Sequence, residues 1–260
     1  MMYYCIILLL IIIISIIFYC IYRYNSLIDS ENHNIKIPRI IHQTISDKHN
    51  IKTELKNNID SLKQINPNWE HYIYDDNDIE EFIKQNYSNH IYETYKRINP
   101  EYGPARADYF RYLVIYKLGG IYFDIKSGSK DKLDNIINDN DEFIIINHPE
   151  WNEYAQWVII SKPGHPLMKE IIDAVTDKIN NYNIKDDGVG KWGVLQLTGP
   201  KIYTKTINDN KHKYSNLTYC DNYQNIHLNY NNINDIWMSH INLFKNHYTT
   251  LTSPIVFGKE

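Results

Sequence analysis

The stretch from Gly103 to Gly128, GPARADYFRYLVIYKLGGIYFDIKSG, constrains the fold more than any other part of the chain. Proline at the first helical position gives up an amide that has no intrahelical partner, so Gly103-Pro104 predicts a helix start. Apolar and aromatic residues then recur at helical spacing through Phe110, Leu113, Val114 and Ile115, and Gly119-Gly120 stops the helix. A short apolar strand follows, Ile121-Tyr122-Phe123, and it runs out at Asp124. A carboxylate delivered at the C-terminal end of a strand sits where open α/β sheets bind their ligands. On the helix, Asp108 and Arg111 are three residues apart and share a face. They can form a surface ion pair of little consequence, or converge on a hydroxylated ligand.

The rest of the chain alternates strand and helix, which predicts the α/β class. Ile37-Pro38-Arg39-Ile40-Ile41-His42-Gln43-Thr44 reads as a first strand ending in polar residues. Thr53 to Ile65 has helical spacing and is ended by Asn66-Pro67, and Trp69 to Tyr74 alternates as a second strand. The acids Asp75-Asp76 invite a metal, yet Asp78 with Glu81 ahead of Ile79, Phe82 and Ile83 has the capping-box pattern, so helix initiation accounts for them. Ser88 to Ile98 predicts another helix. Beyond Gly128 come a helical turn near Asp131 to Ile137, a buried strand from Glu142 to Ile146 and a further strand from Gln156 to Ile160. Pro166 opens a helix patterned by Leu167, Ile171, Ile172 and Val175, with His165 shaping the turn before it. Asp186 to Gly193 reads as a mobile loop over a site, and Thr198-Gly199-Pro200 opens a last helix with Thr198 as an N-cap-like residue.

The amino terminus is different in kind. From Cys5 to Tyr22 the chain is almost wholly apolar, and at about 1.5 Å per residue such a helix is roughly 27 Å long, close to the hydrocarbon thickness of a bilayer. Twelve Ile, Leu or Phe residues fall between Ile6 and Phe18, and no small-x-small cleavage site follows, so a retained signal-anchor is expected over residues 1–24. Residues 25–36 are polar and unpatterned, as a stem would be, and residues 37–260 form the folded body. Arg23 follows the span and no Lys or Arg precedes it, which favours a cytoplasmic body; the sequons Asn86-Tyr87-Ser88 and Asn216-Leu217-Thr218 favour a lumenal one. A net charge of −4 leaves no footprint for nucleic acid. Cys5 and Cys20 flank the apolar span and Cys220 stands alone, so there is neither a disulfide framework nor a zinc spacing.

The run A-D-x-x-R-x-x-x-[LI]-Y-x-x-G-G-[IV]-Y-x-D resembles the DxD-containing sugar-binding region of glycosyltransferase family 32, the relatives of the initiating α-1,6-mannosyltransferase. Ile37 to Gln43 is similar to that family's opening I-P-x-I-I-H-Q, Gln156 to Pro166 to its Q-W-x-I-x-[AS]-K-P-G-H-P and Thr198 to Pro200 to its T-G-P. Ile45 stands where the family commonly has tryptophan, and the Ser-Trp pair expected after Asn246-His247-Tyr248 is missing. The resemblance implies a GT-A fold behind a transmembrane helix and a retaining transfer of a hexose, mannose first, to a glycan, lipid or protein acceptor. GDP-mannose or a UDP-hexose would be the donor, and the body would lie in the Golgi or endoplasmic reticulum lumen. It further implies that His42, Gln43 and Thr44 lie beside the nucleotide, that Asp108 and Arg111 hold donor hydroxyls, and that Asp124 with His247 holds Mn²⁺ or Mg²⁺ against the diphosphate.

One position departs from the pattern: the second acid of D-x-D is Lys126. If the strand continues, residues two apart face the same side, and Lys126 beside Asp124 would repel a cation placed there. A unit pair at 4 Å is worth about 4 kcal/mol at an effective dielectric near 20. Three outcomes stand open. Lys126 itself neutralises the diphosphate; or Asp124, His247 and phosphate oxygens hold the metal while Lys126 turns away; or the chain is a membrane-anchored carbohydrate or nucleotide-sugar binder without turnover. Asp124 and Lys126 are the catalytic candidates.

Overall fold

A computed structural model describes residues 36–232 and 248–258. The expected anchor over residues 1–24, nearly all of the stem, and His247 lie outside them. No helix of the described residues is long and apolar enough to cross a membrane.

The body is a mixed sheet covered on both faces. Strand β1 (Ile40–Thr44) pairs in parallel with β2 (Glu70–Tyr74) on one side and with β3 (Gly120–Phe123) on the other. Beyond β3 the direction reverses: β7 (Val158–Ser161) runs antiparallel to it, and β5 (Phe143–His148) runs antiparallel to β7. The short β6 (Glu153–Tyr154) and β8 (Leu217–Cys220) complete the sheet against β5. A separate two-stranded ribbon joins β4 (Gly128–Ser129) to β9 (Leu228–Asn229).

Side chains alternate between faces along each strand. Tyr122, Ile159, Phe143 and Ile145 enter one apolar cluster, whereas Ile121, Phe123, Val158, Ile160, Ile144 and Ile146 enter the other. The first cluster is filled from α2 (Asp76–Asn86), α3 (Asn89–Arg97), α4 (Gly103–Leu118), α5 (Pro166–Asn180), α7 (Gly190–Leu197) and α8 (Pro200–Asn210). The second is closed by α1 (Thr53–Ile65) through Leu62. Central in the first layer, α4 is buried at ten positions between Ala105 and Ile115, which is why its sequence is apolar nearly all round.

The transition from α4 to β3 is built by its two glycines. Gly119 closes the helix with φ +68° and Gly120 enters the strand with φ +91°, a region that L side chains rarely adopt. A Cβ on Gly120 would stand 2.4 Å from the Ile40 carbonyl oxygen, so the missing side chain is what lets β3 lie against β1.

Two sequence expectations shift. The cap of α2 is Asp75, which accepts from the amides of Asn77 and Asp78, while Asp78 reaches back to the Asp75 amide. The helix begins a turn earlier than the Asp78–Glu81 spacing suggested, because Asp75 is its last extended residue. Asp186 to Gly193, expected as a loop, is largely helical: α6 (Ile184–Asp187) is capped by the Asn183 side chain and separated from α7 by Gly188 at φ +73°.

Gly120→Ala should lower unfolding free energy by about 1–3 kcal/mol from backbone strain alone, and by more once the overlap with Ile40 is relieved. Gly103→Ala, where an added Cβ meets nothing within 4 Å, serves as the control and should stay within about 0.5 kcal/mol in the same urea titration.

Candidate active site

At the carboxyl edge of β1 and β3 one guanidinium is held between two carboxylates. Arg111, on the third turn of α4, places Nη2 2.8 Å from Asp108 Oδ1 and Nη1 3.1 Å from Asp124 Oδ1. The two helix residues pair because their spacing of three puts them on one face, as the sequence allows. Asp124 reaches the same group because it is the first residue past β3, where its amide donates to the Trp157 carbonyl at 2.8 Å. Arg111 Nη1 also donates to the backbone carbonyl of Gln156 at 2.9 Å, and the guanidinium lies 4.6 Å above the Tyr122 ring.

Asp108 is satisfied from two further directions. Gln156 Nε2 donates to its Oδ1 at 3.1 Å and Thr198 Oγ1 donates to its Oδ2 at 3.0 Å. The Tyr112 hydroxyl accepts from Gln156 Nε2 at 2.7 Å and donates to the Thr198 carbonyl at 2.7 Å. Thr198 therefore ends α7, rather than capping α8 as its place before Gly199-Pro200 suggested, and its hydroxyl is turned to the site. The side chains of Asp108 and Arg111 are 8% and 6% exposed, against 27% for Asp124, so Asp124 is the member that faces solvent.

Burial pushes the Asp108 carboxyl above its ordinary value, against the pull of Arg111. Burial also works against the charge on Arg111, but Asp124, Tyr122 and Asp108 outweigh it and hold the guanidinium firmly protonated. Tyr248 belongs to the same electrostatic neighbourhood: burial, with Asp108 and Asp124 adding and Arg111 opposing, pushes its hydroxyl up to about 12.

The three polar residues closing β1 have different surroundings. His42 is fully buried, accepting from the Tyr74 hydroxyl at Nδ1 and donating to the Gly119 carbonyl at Nε2, both at 3.0 Å. Gln43 is also fully buried and bridges the Asp124 carbonyl, at 3.3 Å, and His71 Nε2, at 2.8 Å. Thr44 is half-buried, and its hydroxyl meets that of Tyr122 at 2.9 Å. His42 and Gln43 thus tie β1 to β2 and to the ends of β3, and Thr44 is the one with surface to offer a ligand.

Lys126 does not stand beside Asp124 on one strand face. The strand ends at Phe123, and Asp124 to Ser127 is a tight turn closed by the Ser127 amide on the Asp124 carbonyl at 2.8 Å. The turn sends the half-buried Lys126 to Tyr230, with Nζ 3.4 Å from the hydroxyl and 4.6 Å from the ring centre. Burial lowers its pKa while Asp124 opposes the shift, so the two charges still feel each other. Tyr230 is fixed in turn by its carbonyl, which accepts from Ser127 Oγ at 2.6 Å.

Residues 52–143 match the glycosyltransferase sugar-binding region containing the DXD motif. Over those residues the chain is similar to the glycosyltransferases that carry this region. Over 172 residues, 55% of this chain and 44% of the relative, it is 30% identical to the initiation-specific alpha-1,6-mannosyltransferase of Candida albicans. Over 196 residues, 66% of this chain and 48% of the relative, it is 27% identical to the enzyme of that name from Schizosaccharomyces pombe. It thus spans about half the length of these glycosyltransferases. The solved PaToxG glycosyltransferase has the same fold at a TM-score of 0.51 and 17% identity, covering 74% of this chain and 79% of that one. The GT-A-like α/β architecture expected from sequence is therefore present, and the matched region, from the start of α1 to the first residue of β5, includes α4 and β3.

The DXD description implies a divalent cation, and the described residues around Asp124 do not fit one. Hard cations need several oxygen ligands. Here one carboxylate faces the opening, its Oδ1 is taken by Arg111, and an ammonium lies within electrostatic range. Among the described residues no three His, Cys, Asp or Glu side chains converge on a metal position.

Gln156, Thr198, Tyr112 and Tyr230 join the cluster without having been singled out for it. The sequence signal that could have found Gln156 is a lone glutamine two residues ahead of an apolar strand.

Arg111→Met leaves Asp108 buried without its countercharge and should destabilise the fold by about 3–5 kcal/mol, read from chemical denaturation. Burial depresses both His42 and His71 to about 4, with Lys63 and His42 adding to the effect on His71. Both are neutral when folded and take up protons on unfolding below about 6.5, so their contribution is complete above that pH and is lost as pH falls toward 4. Calorimetry at pH 7.5 and pH 5 should show a lower melting temperature at pH 5.

Proposed function

We propose that this glycosyltransferase moves a hexose, mannose first, from a nucleotide-sugar donor to a hydroxyl of a glycan, lipid or protein acceptor, with retention at the anomeric carbon. What carries the proposal is the Asp108–Arg111–Asp124 cluster at the carboxyl edge of β3, inside the matched sugar-binding region. GDP-mannose is the first donor to test because the two relatives described above are named mannosyltransferases. The body is assigned to the Golgi or endoplasmic reticulum lumen, anchored through residues 5–22.

Cleaving the bond from the anomeric carbon to the donor oxygen loads negative charge onto the departing diphosphate. Positive groups fixed at that point stabilise the transition state more than the ground state. Arg111 pairs with Asp124, and Lys126 lies within electrostatic range of it. In this scheme Asp124, the half-buried carboxylate and the most exposed of the three, meets the sugar hydroxyls first, and Asp108 and Arg111 set its position and the charge behind it. In the same scheme Thr44, whose hydroxyl meets that of Tyr122, lies on the nucleotide side. When bound, a divalent cation would supply Lewis-acid neutralisation of the diphosphate, which the described residues do not favour.

A binding protein without turnover is the second reading. It is favoured by one observation: both oxygens of Asp108 already have partners inside the fold.

Incubation with a panel of nucleotide sugars, with and without simple mannoside acceptors, should release free nucleotide, GDP fastest. Asp124→Asn should reduce the rate by at least about tenfold to a hundredfold. If no donor in the panel yields nucleotide while the folded protein still retains one of them, the transferase proposal is lost and the binder remains.

A further inference from the structure

The matched region is described by a DXD motif, and this chain reads Asp124-Ile125-Lys126 there. A carboxylate together with a dication carries one net positive charge. An ammonium carries the same charge alone. Exchanging acid plus metal for lysine therefore leaves the charge presented to a pyrophosphate unchanged. In formal charge the described neighbourhood is balanced without a metal: Arg111 pairs with both Asp108 and Asp124, and Lys126, turned to Tyr230, adds a second positive charge that Asp124 feels at longer range. With an aspartate at position 126, the same cluster would hold three carboxylates against one guanidinium and would require a cation.

The geometry supports a fixed ammonium rather than a wandering one. Lys126 sits in a turn closed at both ends: Ser127 bonds back to Asp124, and the Lys126 carbonyl accepts the Asn232 amide at 2.8 Å. Asn58 Nδ2 donates to the carbonyls of Ile125 and Ser127 at 2.9 and 3.0 Å, and β4 pairs with β9 immediately afterwards. The Nζ rests on the Tyr230 ring, which restricts the stem and leaves an edge of the ammonium free of carboxylate contact. Among the described residues Lys126 makes no ion pair within 4 Å, unlike Arg111, so its charge is not already spent on a protein anion.

We propose that Lys126 takes the place of the metal at the donor pyrophosphate, so that nucleotide binding and sugar transfer proceed without a divalent cation. This rests on the glycosyltransferase reading above and adds the means by which the leaving group is neutralised. As the anomeric bond breaks, its electron pair goes to the β-phosphate oxygen, where the ammonium lies against the growing charge. The acceptor hydroxyl forms the new bond and releases its proton to solvent or to the departing phosphate. No redox partner is involved.

The test is calorimetric titration of the full chain with GDP, UDP and inorganic pyrophosphate, in excess EDTA and again in millimolar Mn²⁺, alongside nucleotide release in the same buffers. The native protein should bind at least one of the three with affinities within about threefold of each other in the two buffers, and turnover should follow the same pattern. Lys126→Asp should lose at least tenfold in affinity in EDTA and regain it with Mn²⁺, whose binding to that variant is read independently by the loss of its free-ion paramagnetic resonance signal. Lys126→Gln, which adds no charge to the turn, should bind more weakly in both buffers, and unfolding curves of both variants confirm that they are folded. A native affinity or rate that falls more than tenfold on chelation overturns the inference and leaves the transferase intact. Binding of none of the three probes in either buffer overturns both.

Discussion

Arg111 is the interaction on which the rest of the site depends. Its charge lies at the meeting of α4, the end of β3 and the entry to β7, and each of these supplies it with an acceptor: Asp108, Asp124 and the Gln156 carbonyl. Two carboxylates this close would repel each other in a buried setting, and a guanidinium is suited to separate them because its planar fork can serve both at once. The surrounding tyrosines follow from that charge. Tyr122 lies beneath the guanidinium, and Tyr112 completes the hydrogen-bonding needs of Gln156, so the cation is enclosed without an unsatisfied donor facing apolar side chains. A lysine could not replace it, having neither the second parallel donor nor the flat face.

Much of the fold was legible because its signals are local. Pro104 and the Gly119-Gly120 pair bound α4 at both ends, and the alternation of Ile121, Tyr122 and Phe123 sets which of them faces which layer. The pairing of Asp108 with Arg111 could be read from their spacing. What could not be read was everything that depends on chain segments far apart. Thr198 lies 90 positions from Asp108, and its hydroxyl turns to the site only because α7 ends there. Lys126 was harder still. The two-residue alternation that holds through Phe123 stops at Asp124, since the chain turns after the last ladder bond, and no pattern in Asp-Ile-Lys-Ser-Gly announces that turn before the strand's length is known.

The polar residues that close β1 illustrate a related point. His42 and Gln43 look like ligand-facing groups because polar side chains at a strand end usually are. In the fold both are enclosed, and each bridges two elements, His42 from Tyr74 to Gly119 and Gln43 from His71 to Asp124. Their polarity serves to register the parallel strands at the edge where the cluster forms. Of the same trio, Thr44 keeps surface and therefore chemical opportunity.

The reversal of direction between β3 and β7 has a consequence for how such a chain can change over evolution. Because the two strands run oppositely, the residue that leaves β3 and the residues that enter β7 meet at one rim, locked by the four register pairs from Gly120 with Ser161 to Phe123 with Val158. The surface segment between Ser129 and Phe143 departs from that rim and returns to the sheet through β5. Additional chain inserted there would grow outward like a branch from a clamped trunk, adding new recognition surface while Arg111 and its two acids keep their places.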